Sequence, residues 1–160
     1  MPPSARVVVP AQYVDQYLGD AGDARYRFAR LEQTTAALTA RLSYTFTPRL
    51  SLQYYAQPFI SSGRYSSPLE VLDPAARGFG ERFQPAEAEE LPDFNFKQLR
   101  SNAVLRWEYR PGSTLFVVWN TDLQDESSIG TFDLMRDTRR LFAADGTNVL
   151  LIKLSYWLGI

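Results

Sequence analysis

QLRSNAVLRWEYRPGSTLFVVWNTDLQ, residues 98–124, is the stretch that decides the fold. It consists of two segments of alternating character separated by Pro111-Gly112-Ser113, which is typical of a tight turn. Successive side chains of a β-strand point to opposite faces of a sheet. One face of the first segment is therefore free of charge, whereas the other carries Arg100, Arg106, Glu108 and Arg110. The uncharged positions are Leu99, Ser101, Ala103, Leu105, Trp107 and Tyr109.

The two segments also match each other across the turn. If Arg110 pairs with Thr114, the apolar row of the first segment lies beside the apolar row of the second. A slip of one residue would send one row to the opposite face. The stretch is therefore predicted to be a β-hairpin with one uncharged face. The predicted pairs are Tyr109 with Leu115, Trp107 with Val117, Leu105 with Trp119, Asn102 with Asp122 and Arg100 with Gln124.

Residues 34–59 form a second predicted hairpin, whose turn is Thr47-Pro48-Arg49. Alternation is clear on both sides of this turn, and the apolar rows again fall on the same side. Two independent hairpins with matching rows favour a β-sheet protein. The predicted pairs are Phe46 with Leu50, Tyr44 with Leu52 and Leu42 with Tyr54.

Composition limits the possible chemistry. The 160 residues suit one domain, and 17 basic against 18 acidic residues leave no basic surface that would favour nucleic acid. The chain has no cysteine and no histidine, which excludes disulfides and thiolate catalysis and removes the commonest metal ligand. The ten Phe, nine Tyr and three Trp favour β structure and interfaces. No apolar run approaches the ~18–20 residues of a membrane helix.

The chain is predicted to be an all-β, antiparallel up-and-down meander of about five to six long strands. We expect an irregular N-terminal segment at 1–24 and β structure over 25–160. Both short turns then lie at one end of the sheet and both long loops at the other. The predicted strands are 26–46, 49–60, 98–110, 114–124 and 149–158, and the predicted long loops are 61–97 and 125–148.

Three features favour a part of an outer-membrane β-barrel over a soluble sheet. Short turns lie opposite long loops, aromatic residues cluster near the turns, and the last strand ends in aromatic residues followed by a leucine. The predicted strands also reach the ~9–11 residues that a tilted strand needs to cross a bilayer. A soluble antiparallel sheet with one face on a core produces the same alternation, so a soluble all-β binding module with aromatic-rich loops is the alternative.

The barrel interpretation assigns roles to three sets of residues. The predicted lumen-facing polar row is Arg41, Gln53, Arg100, Asn102, Arg106, Glu108, Asp122 and Lys153. The predicted aromatic girdle is Tyr44, Phe46, Trp107, Tyr109 and Tyr156. The candidate signal for barrel-assembly machinery is Tyr156, Trp157 and Leu158, although Gly159-Ile160 follow where such signals usually end in an aromatic residue, and a plain closing strand is the alternative.

Three segments carry a family resemblance: LEQTTAALTARLSYTFTPRLSLQYYAQPFISSGRY, DFNFKQLRSNAVLRWEYRPGSTLFVVW and LLIKLSYWL. Over about residues 25–158 they resemble the C-terminal region of a Gram-negative domain-of-unknown-function family, number 5916. The resemblance implies an outer-membrane barrel that follows a carbohydrate-binding family 9-like domain. We therefore expect this chain to be the C-terminal portion of a longer exported protein connected with surface glycan binding or uptake.

Candidate chemistry is sparse, and we expect no cofactor, no metal and no catalysis. The carboxylates of Glu108, Asp122, Asp93, Asp125, Glu126 and Asp133 would have to meet in pairs to hydrolyse a glycoside. Glu108 lies between two arginines on its own face, so a ladder of charges is the simpler interpretation. The expected partners are outer-membrane lipid, the assembly machinery and carbohydrate at the long loops. The loop aromatics that could stack on sugar rings are Tyr65, Phe79, Phe83, Phe94 and Phe96.

Overall fold

The computed structural model describes residues 4–19, 22, 24–87 and 90–158. These residues form an all-β fold with two helices. In chain order the elements are β1 (Ser4–Leu18), β2 (Ala24–Ala37), β3 (Ala40–Thr47), β4 (Leu50–Val71), α1 (Phe79–Arg82), β5 (Phe83–Pro85), β6 (Phe94–Arg110), β7 (Ser113–Ser127), α2 (Leu134–Ala143) and β8 (Gly146–Ser155).

The strands form one antiparallel sheet in the order β1-β2-β4-β6-β7-β8, with β3 and β5 paired to β4. The 22-residue strand β4 organises the sheet, because β3 pairs with its first part and β2 with its second part. The strands β2 and β3 thus follow one path, interrupted at Leu38 and Thr39. The antiparallel meander that the sequence predicts is confirmed.

The two ends of the sheet differ. We call the end with the β3–β4 and β6–β7 turns the turn end, and the other the loop end. Residues 72–87 and 90–93, which include α1 and β5, and residues 128–145, which include α2, lie at the loop end, where β1 also ends and β2 begins. The predicted separation of short turns from long loops therefore holds for the two hairpins from which it was derived.

The N-terminal segment differs from its prediction as an irregular loop over 1–24. Residues Ser4–Leu18 form β1, which pairs with β2 from Ser4 opposite Ala36 to Leu18 opposite Ala24. Register shifts between Val9 and Gln12 and between Tyr13 and Asp15 break the alternation that would have revealed the strand. Pro10 lies in the first shift, where proline is tolerated because no ladder hydrogen bond is required of it. Residues 1–3, 20, 21 and 23 lie outside the described part.

The long loop predicted over 61–97 is shorter in the structure, because β4 continues to Val71 and β6 begins at Phe94. Consecutive residues from Ile60 to Gly63 are buried, so both faces of β4 are covered here. Covering both faces removes the polar–apolar alternation by which strands are recognised. The other predicted strands begin or end within a few residues of those observed.

The registers of the two hairpins agree with the predicted parity but not with every predicted pair. Tyr44 lies opposite Leu52 as predicted, whereas Thr47 takes the place of Phe46 opposite Leu50 because the ladder shifts after Thr45. In the central hairpin Trp107 lies opposite Leu115, two residues from the predicted register. A shift of two preserves the face of every side chain, and the predicted uncharged face survives it.

The turn explains the two-residue shift. Arg110 pairs with Ser113 rather than Thr114, and the ladder shifts between Glu108 and Arg110. The connection therefore comprises Pro111 and Gly112, and Gly112 has φ 75°, a conformation that favours glycine because it has no Cβ. Neither the shift nor the loop length follows from the alternation of the strands.

A second layer covers one margin of the sheet. Asp133 caps α2 by accepting a hydrogen bond from the Arg136 backbone N–H at 2.9 Å. Leu141 of α2 is only 1% exposed and packs with Ala56 and Leu99, against which Leu123 also lies. This small core thus lies at the loop end, between α2 and the sheet. Within the described residues, no helix combines the length and apolar character needed to cross a membrane.

Candidate membrane-facing surface and polar row

The face of the sheet that carries the apolar rows, which we call the uncharged face, extends across five strands at the turn end. Each strand places one apolar residue beside the next in the ladders from β3 to β8. Such rows form the lateral contacts that stabilise a sheet face. One complete row is Tyr44, Leu52, Leu105, Val117 and Ile152, and the next toward the loop end is Leu42, Tyr54, Ala103, Trp119 and Leu150.

The uncharged face is largely solvent-exposed. Trp107 is 47% exposed, Tyr44 54% and Ile152 64%. Monomeric soluble proteins rarely expose contiguous apolar patches larger than a few hundred Å². Leu99 is buried beneath α2, and from Ser101 to Tyr109 the face spans about 9 residues of β6, against the ~9–11 that a tilted strand needs to cross a bilayer. Its extent therefore fits a membrane-facing band.

The uncharged face ends at the loop end in a buried ion pair that the sequence analysis missed. Lys97 shares the face of Leu99 but lies beyond the segment predicted as strand, and its side chain is 0% exposed. Its Nζ lies 2.6 Å from Asp125 Oδ2 and donates a hydrogen bond to the Asn95 carbonyl oxygen at 3.2 Å. Burial beneath the loop-end layer and pairing together make a cation tolerable on this face.

The eight residues of the predicted polar row share the face opposite the uncharged one, because their ladder partners alternate consistently. Several are paired: Arg100 Nε lies 3.4 Å from Asp122 Oδ2, and Arg106 Nη2 lies 3.7 Å from Glu108 Oε2. These exposed pairs contribute about 0–1 kcal/mol each. They balance charge within the row rather than anchor the fold.

Two details of the polar row differ from the prediction. The two-residue shift places Asn102 opposite Asn120 and Arg100 opposite Asp122, instead of Asp122 and Gln124. The face is also mixed rather than purely ionic, since apolar side chains occupy it between the charged ones. These apolar members are Val104, Phe116, Val118, Val149 and Leu151.

The rest of the row consists of Arg41, Gln53 and Lys153. The Arg41 guanidinium carbon lies 5.6 Å from the centre of the Tyr55 ring, within the range of a cation–π contact. Gln53 lies opposite Val104, and Lys153 lies opposite Phe116. The positive side chains are therefore interleaved with aromatic ones.

The predicted girdle residues lie together at the turn end. Tyr44 and Phe46 form an edge-to-face pair with ring centres 4.8 Å apart, and Trp107 and Tyr109 form another at 6.1 Å. Tyr156 joins them because its hydroxyl accepts a hydrogen bond from Arg110 Nη1 at 3.1 Å. Aromatic residues with a polar tip suit the boundary between an apolar layer and water.

The candidate assembly signal lies beyond the final strand. The strand β8 ends at Ser155, whereas the sequence analysis extended it to Leu158. The Trp157 backbone N–H donates to Ser113 Oγ at 3.0 Å, and Trp157 Cβ lies 3.0 Å from where a side chain on Gly112 would begin. Trp157 therefore lies against the β6–β7 turn, and Tyr156 is bonded to Arg110 beside it. Gly159 and Ile160 lie outside the described residues.

The loop aromatics predicted to meet sugars are mostly engaged in packing. Phe83 packs against Phe28 and Phe79, with ring centres 5.4 and 4.9 Å apart, and Phe96 lies 6.2 Å from Phe59. The Phe94 ring covers Gly63 so closely that a Cβ there would overlap it. Phe79 is 54% exposed, and Tyr65 is half-buried, with its backbone N–H bonded to Asp93 Oδ1 at 2.7 Å. Phe79 is thus the most accessible of these rings.

Most of the candidate carboxylates have structural partners. Asp125 pairs with Lys97, Asp93 accepts the Tyr65 backbone N–H, and Asp133 caps α2. Glu108 Oε1 accepts the Gly112 backbone N–H at 3.3 Å. Throughout the described ranges, no three acidic side chains form a group that could hold a metal ion.

Asp137 is a buried carboxylate that sequence reasoning overlooked. It is 0% exposed, its Oδ2 accepts the Asp133 backbone N–H at 2.9 Å, and its Oδ1 lies 2.8 Å from Arg136 Nε. Burial alone would raise its pKa, but hydrogen bonds from Arg136, the Asp133 backbone and Asn95 outweigh burial and lower the pKa below 3.8. This network connects the start of α2 to β6.

A family model described as a domain of unknown function (DUF5916) matches residues 10–160. No curated protein and no solved structure matches the chain.

Proposed function

Because this chain belongs to the family described as a domain of unknown function (DUF5916), which assigns it no activity, we propose a function from the geometry of its sheet. The protein is the C-terminal portion of an outer-membrane β-barrel in a Gram-negative bacterium. It is non-catalytic, and it is associated with surface glycan binding or uptake. Its turn end faces the periplasm and its loop end the cell exterior, as in other such barrels.

One observation carries this proposal: five strands share an exposed face from which charge is absent, while the charged residues of the same strands occupy the other face. Lipid requires this exclusion, because an Arg or Lys near the bilayer midplane costs about 2–4 kcal/mol. Water on both faces would not penalise occasional charges. The girdle of aromatic residues at the turn end adds support.

The edges of the sheet support membership of a larger barrel. Along the described chain, β3 pairs only with β4 and β8 only with β7, and no ladder joins β8 to β1 or β3. Each edge leaves backbone N–H and C=O groups without ladder partners, and a bilayer excludes the water that could satisfy them. Additional strands would satisfy these groups by closing the sheet.

The glycan part of the proposal rests on the family resemblance and on the loop end. Extracellular loops present binding residues on a rigid barrel, and the exposed Phe79 ring is an apolar platform of the kind on which a sugar can stack. Anion selectivity from the arginines of the polar row would be a separate property, and the pairing of Arg100 and Arg106 with carboxylates argues against it.

Two neighbouring positions on β6 provide the test. Leu105 belongs to the uncharged face and Val104 to the opposite face. We expect Leu105→Arg to destabilise insertion into phospholipid vesicles by about 2–4 kcal/mol and Val104→Arg to change it little. Insertion is measured by urea titration of vesicle-bound chain, with quenching of Trp107 and Trp119 fluorescence by bromolipids.

The soluble all-β binding module makes the opposite prediction. The wild-type chain would then stay monomeric without detergent, and its tryptophans would show no bromolipid quenching. Equal insertion of both arginine variants would also exclude lipid as the medium that covers the uncharged face.

A further inference from the structure

A groove opens between α2 and the sheet at the loop-end margin of the uncharged face. It encloses about 200 Å³ and its lining is apolar except for the Thr138 side chain. The sheet contributes Ala37, Leu38 and Ile60, and α2 contributes Leu134, Thr138 and Phe142. An apolar cavity of ~150 Å³ takes benzene, so this groove has room for part of a hydrocarbon chain.

The groove is continuous with the uncharged face. Pro58, which also lines it, pairs with Leu99 in the β4–β6 ladder, and the Leu38 backbone N–H donates to the Pro58 carbonyl oxygen at 3.1 Å. Leu99 itself is covered by Leu141, but Leu38 at the mouth is 48% exposed and lies toward the exposed row that contains Leu42 and Tyr54. The medium that covers this row therefore also reaches the mouth of the groove. If lipid is that medium, as proposed above, the groove opens to acyl chains.

Around the mouth, α2 exposes large apolar side chains. Phe142 is 66% exposed, Met135 76% and Leu134 47%. Their exposure is costly in water but favourable where a helix lies along a membrane interface with its apolar residues among the acyl chains. This arrangement indicates lipid rather than water beside this side of α2.

A cation lies beside the same mouth. Arg139 is three residues before Phe142 and four after Met135, so the three side chains share one side of α2. Arg139 is exposed and forms no ion pair within the described part of the chain, in contrast to Arg136, which binds Asp137. An unpaired guanidinium next to an apolar groove complements a lipid that joins a phosphate to an acyl chain.

We propose that this groove holds one acyl chain of a phosphate-bearing anionic lipid whose phosphate contacts Arg139. A peptide is a poorer occupant, because its backbone would find only Thr138 as a polar partner in the groove. The site would fasten α2 to the membrane at the loop end of the barrel. This inference depends on the membrane location proposed above.

Lipid retention by the whole chain in detergent micelles tests the proposal. Native mass spectrometry counts dioleoyl phosphatidylglycerol, which is anionic, and dioleoyl phosphatidylcholine, which is zwitterionic, bound to each variant. We expect Arg139→Glu to weaken retention of phosphatidylglycerol about five- to tenfold and of phosphatidylcholine less. Arg140→Glu makes the same charge change on the same helix away from the groove, and we expect less than a twofold effect.

Filling the groove tests the acyl-chain part separately. Thr138→Trp fills the groove from α2, and Ala36→Leu fills it from the sheet, because Ala36 lines the groove and pairs with Ile60 on the same face. Each variant should remove one bound lipid of either kind. If both variants lose one lipid and both keep the circular dichroism spectrum of the wild type, misfolding does not explain the loss. The proposal would be overturned if both filled variants bound as many lipids as the wild type, or if they changed only their oligomeric state. Equal effects of Arg139→Glu and Arg140→Glu on lipid retention would also overturn it.

The two proposals fail in distinguishable ways. If the membrane location is wrong, the wild-type chain shows no insertion into vesicles. If only the groove inference is wrong, the wild-type chain inserts but the groove variants retain lipid as the wild type does.

Discussion

Lys97 shows how a single residue limits the uncharged face. Its fully buried ammonium pairs with Asp125, whose side chain is 30% exposed, so the pair lies where the apolar band gives way to the loop-end layer. A buried ion pair is weak evidence of stability, but the loss of one partner is costly because a charge is left without compensation. The pair therefore marks where the exposed apolar band of the uncharged face ends.

Replacing Lys97 tests this interpretation. We expect Lys97→Met to lower the free energy of unfolding by about 1–3 kcal/mol, less than for a fully buried pair because water reaches Asp125. Lys97→Met combined with Asp125→Leu should recover most of the loss. Urea denaturation in micelles, followed by tryptophan fluorescence, measures both. A loss in the double variant at least as large as in the single one would contradict the interpretation.

Gly112 and Gly22 allow the backbone strain of replacing a glycine to be separated from the overlap of the added Cβ with a neighbouring side chain. Both have positive φ, 75° and 77°, but a Cβ at Gly112 would lie 3.0 Å from Trp157 Cβ, whereas nothing lies within 4 Å of one at Gly22. Gly22→Ala should therefore show only the backbone strain, about 1–2 kcal/mol. Gly112→Ala should cost more, and Trp157→Gly in that background, which removes the Trp157 Cβ, should remove the excess. Equal losses in the two single variants, measured by denaturation, would show that Trp157 does not press on the turn.

At the scale of elements, α2 is one part that the sequence analysis did not predict. Half of the residues in its sequence, LMRDTRRLFA, are apolar, but its N-cap Asp133 was considered only as a candidate carboxylate. The capping pattern is a usable sign of a helix start, but the buried Asp137 depends on Asn95, which is distant in sequence. Local patterns therefore could have revealed the helix but not its docking.

The docking of α2 should depend on pH through Asp137. Its folded pKa is lowered below 3.8 against burial by Arg136, Asp133 and Asn95, so the unfolded chain binds the proton more tightly. The stabilisation is therefore present above pH ~3.8 and is lost as the pH falls through the lowered folded pKa. We expect the protection factors of the α2 amides, which compare their exchange rates with those of an unstructured chain at the same pH, to fall in that range.

Asp137→Asn is the matched control, because it keeps the size of the side chain but removes its titration. The α2 amides of this variant should have lower protection factors than the wild type at neutral pH. These protection factors should not fall further in acid. If the wild-type chain and the Asp137→Asn variant respond to acid identically, other carboxylates govern the docking of α2.

For the whole molecule, alternation predicted the meander, the separation of turns from long loops and the face of every residue in the polar row. It did so because a period of two assigns faces without any knowledge of neighbouring strands. The exact registers, β1 and the second half of β4 were missed for the converse reason. Bulges and burial on both faces destroy alternation, and they depend on strands that are distant in sequence.

The exposed edge strand β8 and the uncharged face together predict association of the chain in plain buffer. Unpaired strand edges recruit other strands, and exposed apolar rows associate to escape water. Light scattering should show large β-rich assemblies without detergent and a dispersed chain in micelles. A wild-type chain that stays monomeric without detergent would contradict this.

Paired variants of β8 tell which surface dominates that association. Leu150→Lys/Ile152→Lys places two charges on the uncharged face, whereas Val149→Lys/Leu151→Lys places two on the opposite face of the same strand. Both pairs add two charges to the same edge strand and so oppose edge-to-edge pairing equally. A difference in scattering between the two pairs therefore comes from the face that carries the charges. Because the uncharged face presents apolar rows over five strands, we expect the first pair to reduce scattering much more than the second. Equal reductions of scattering by the two pairs would show that the strand edge causes the association. The uncharged face would then not drive association of the chain in water.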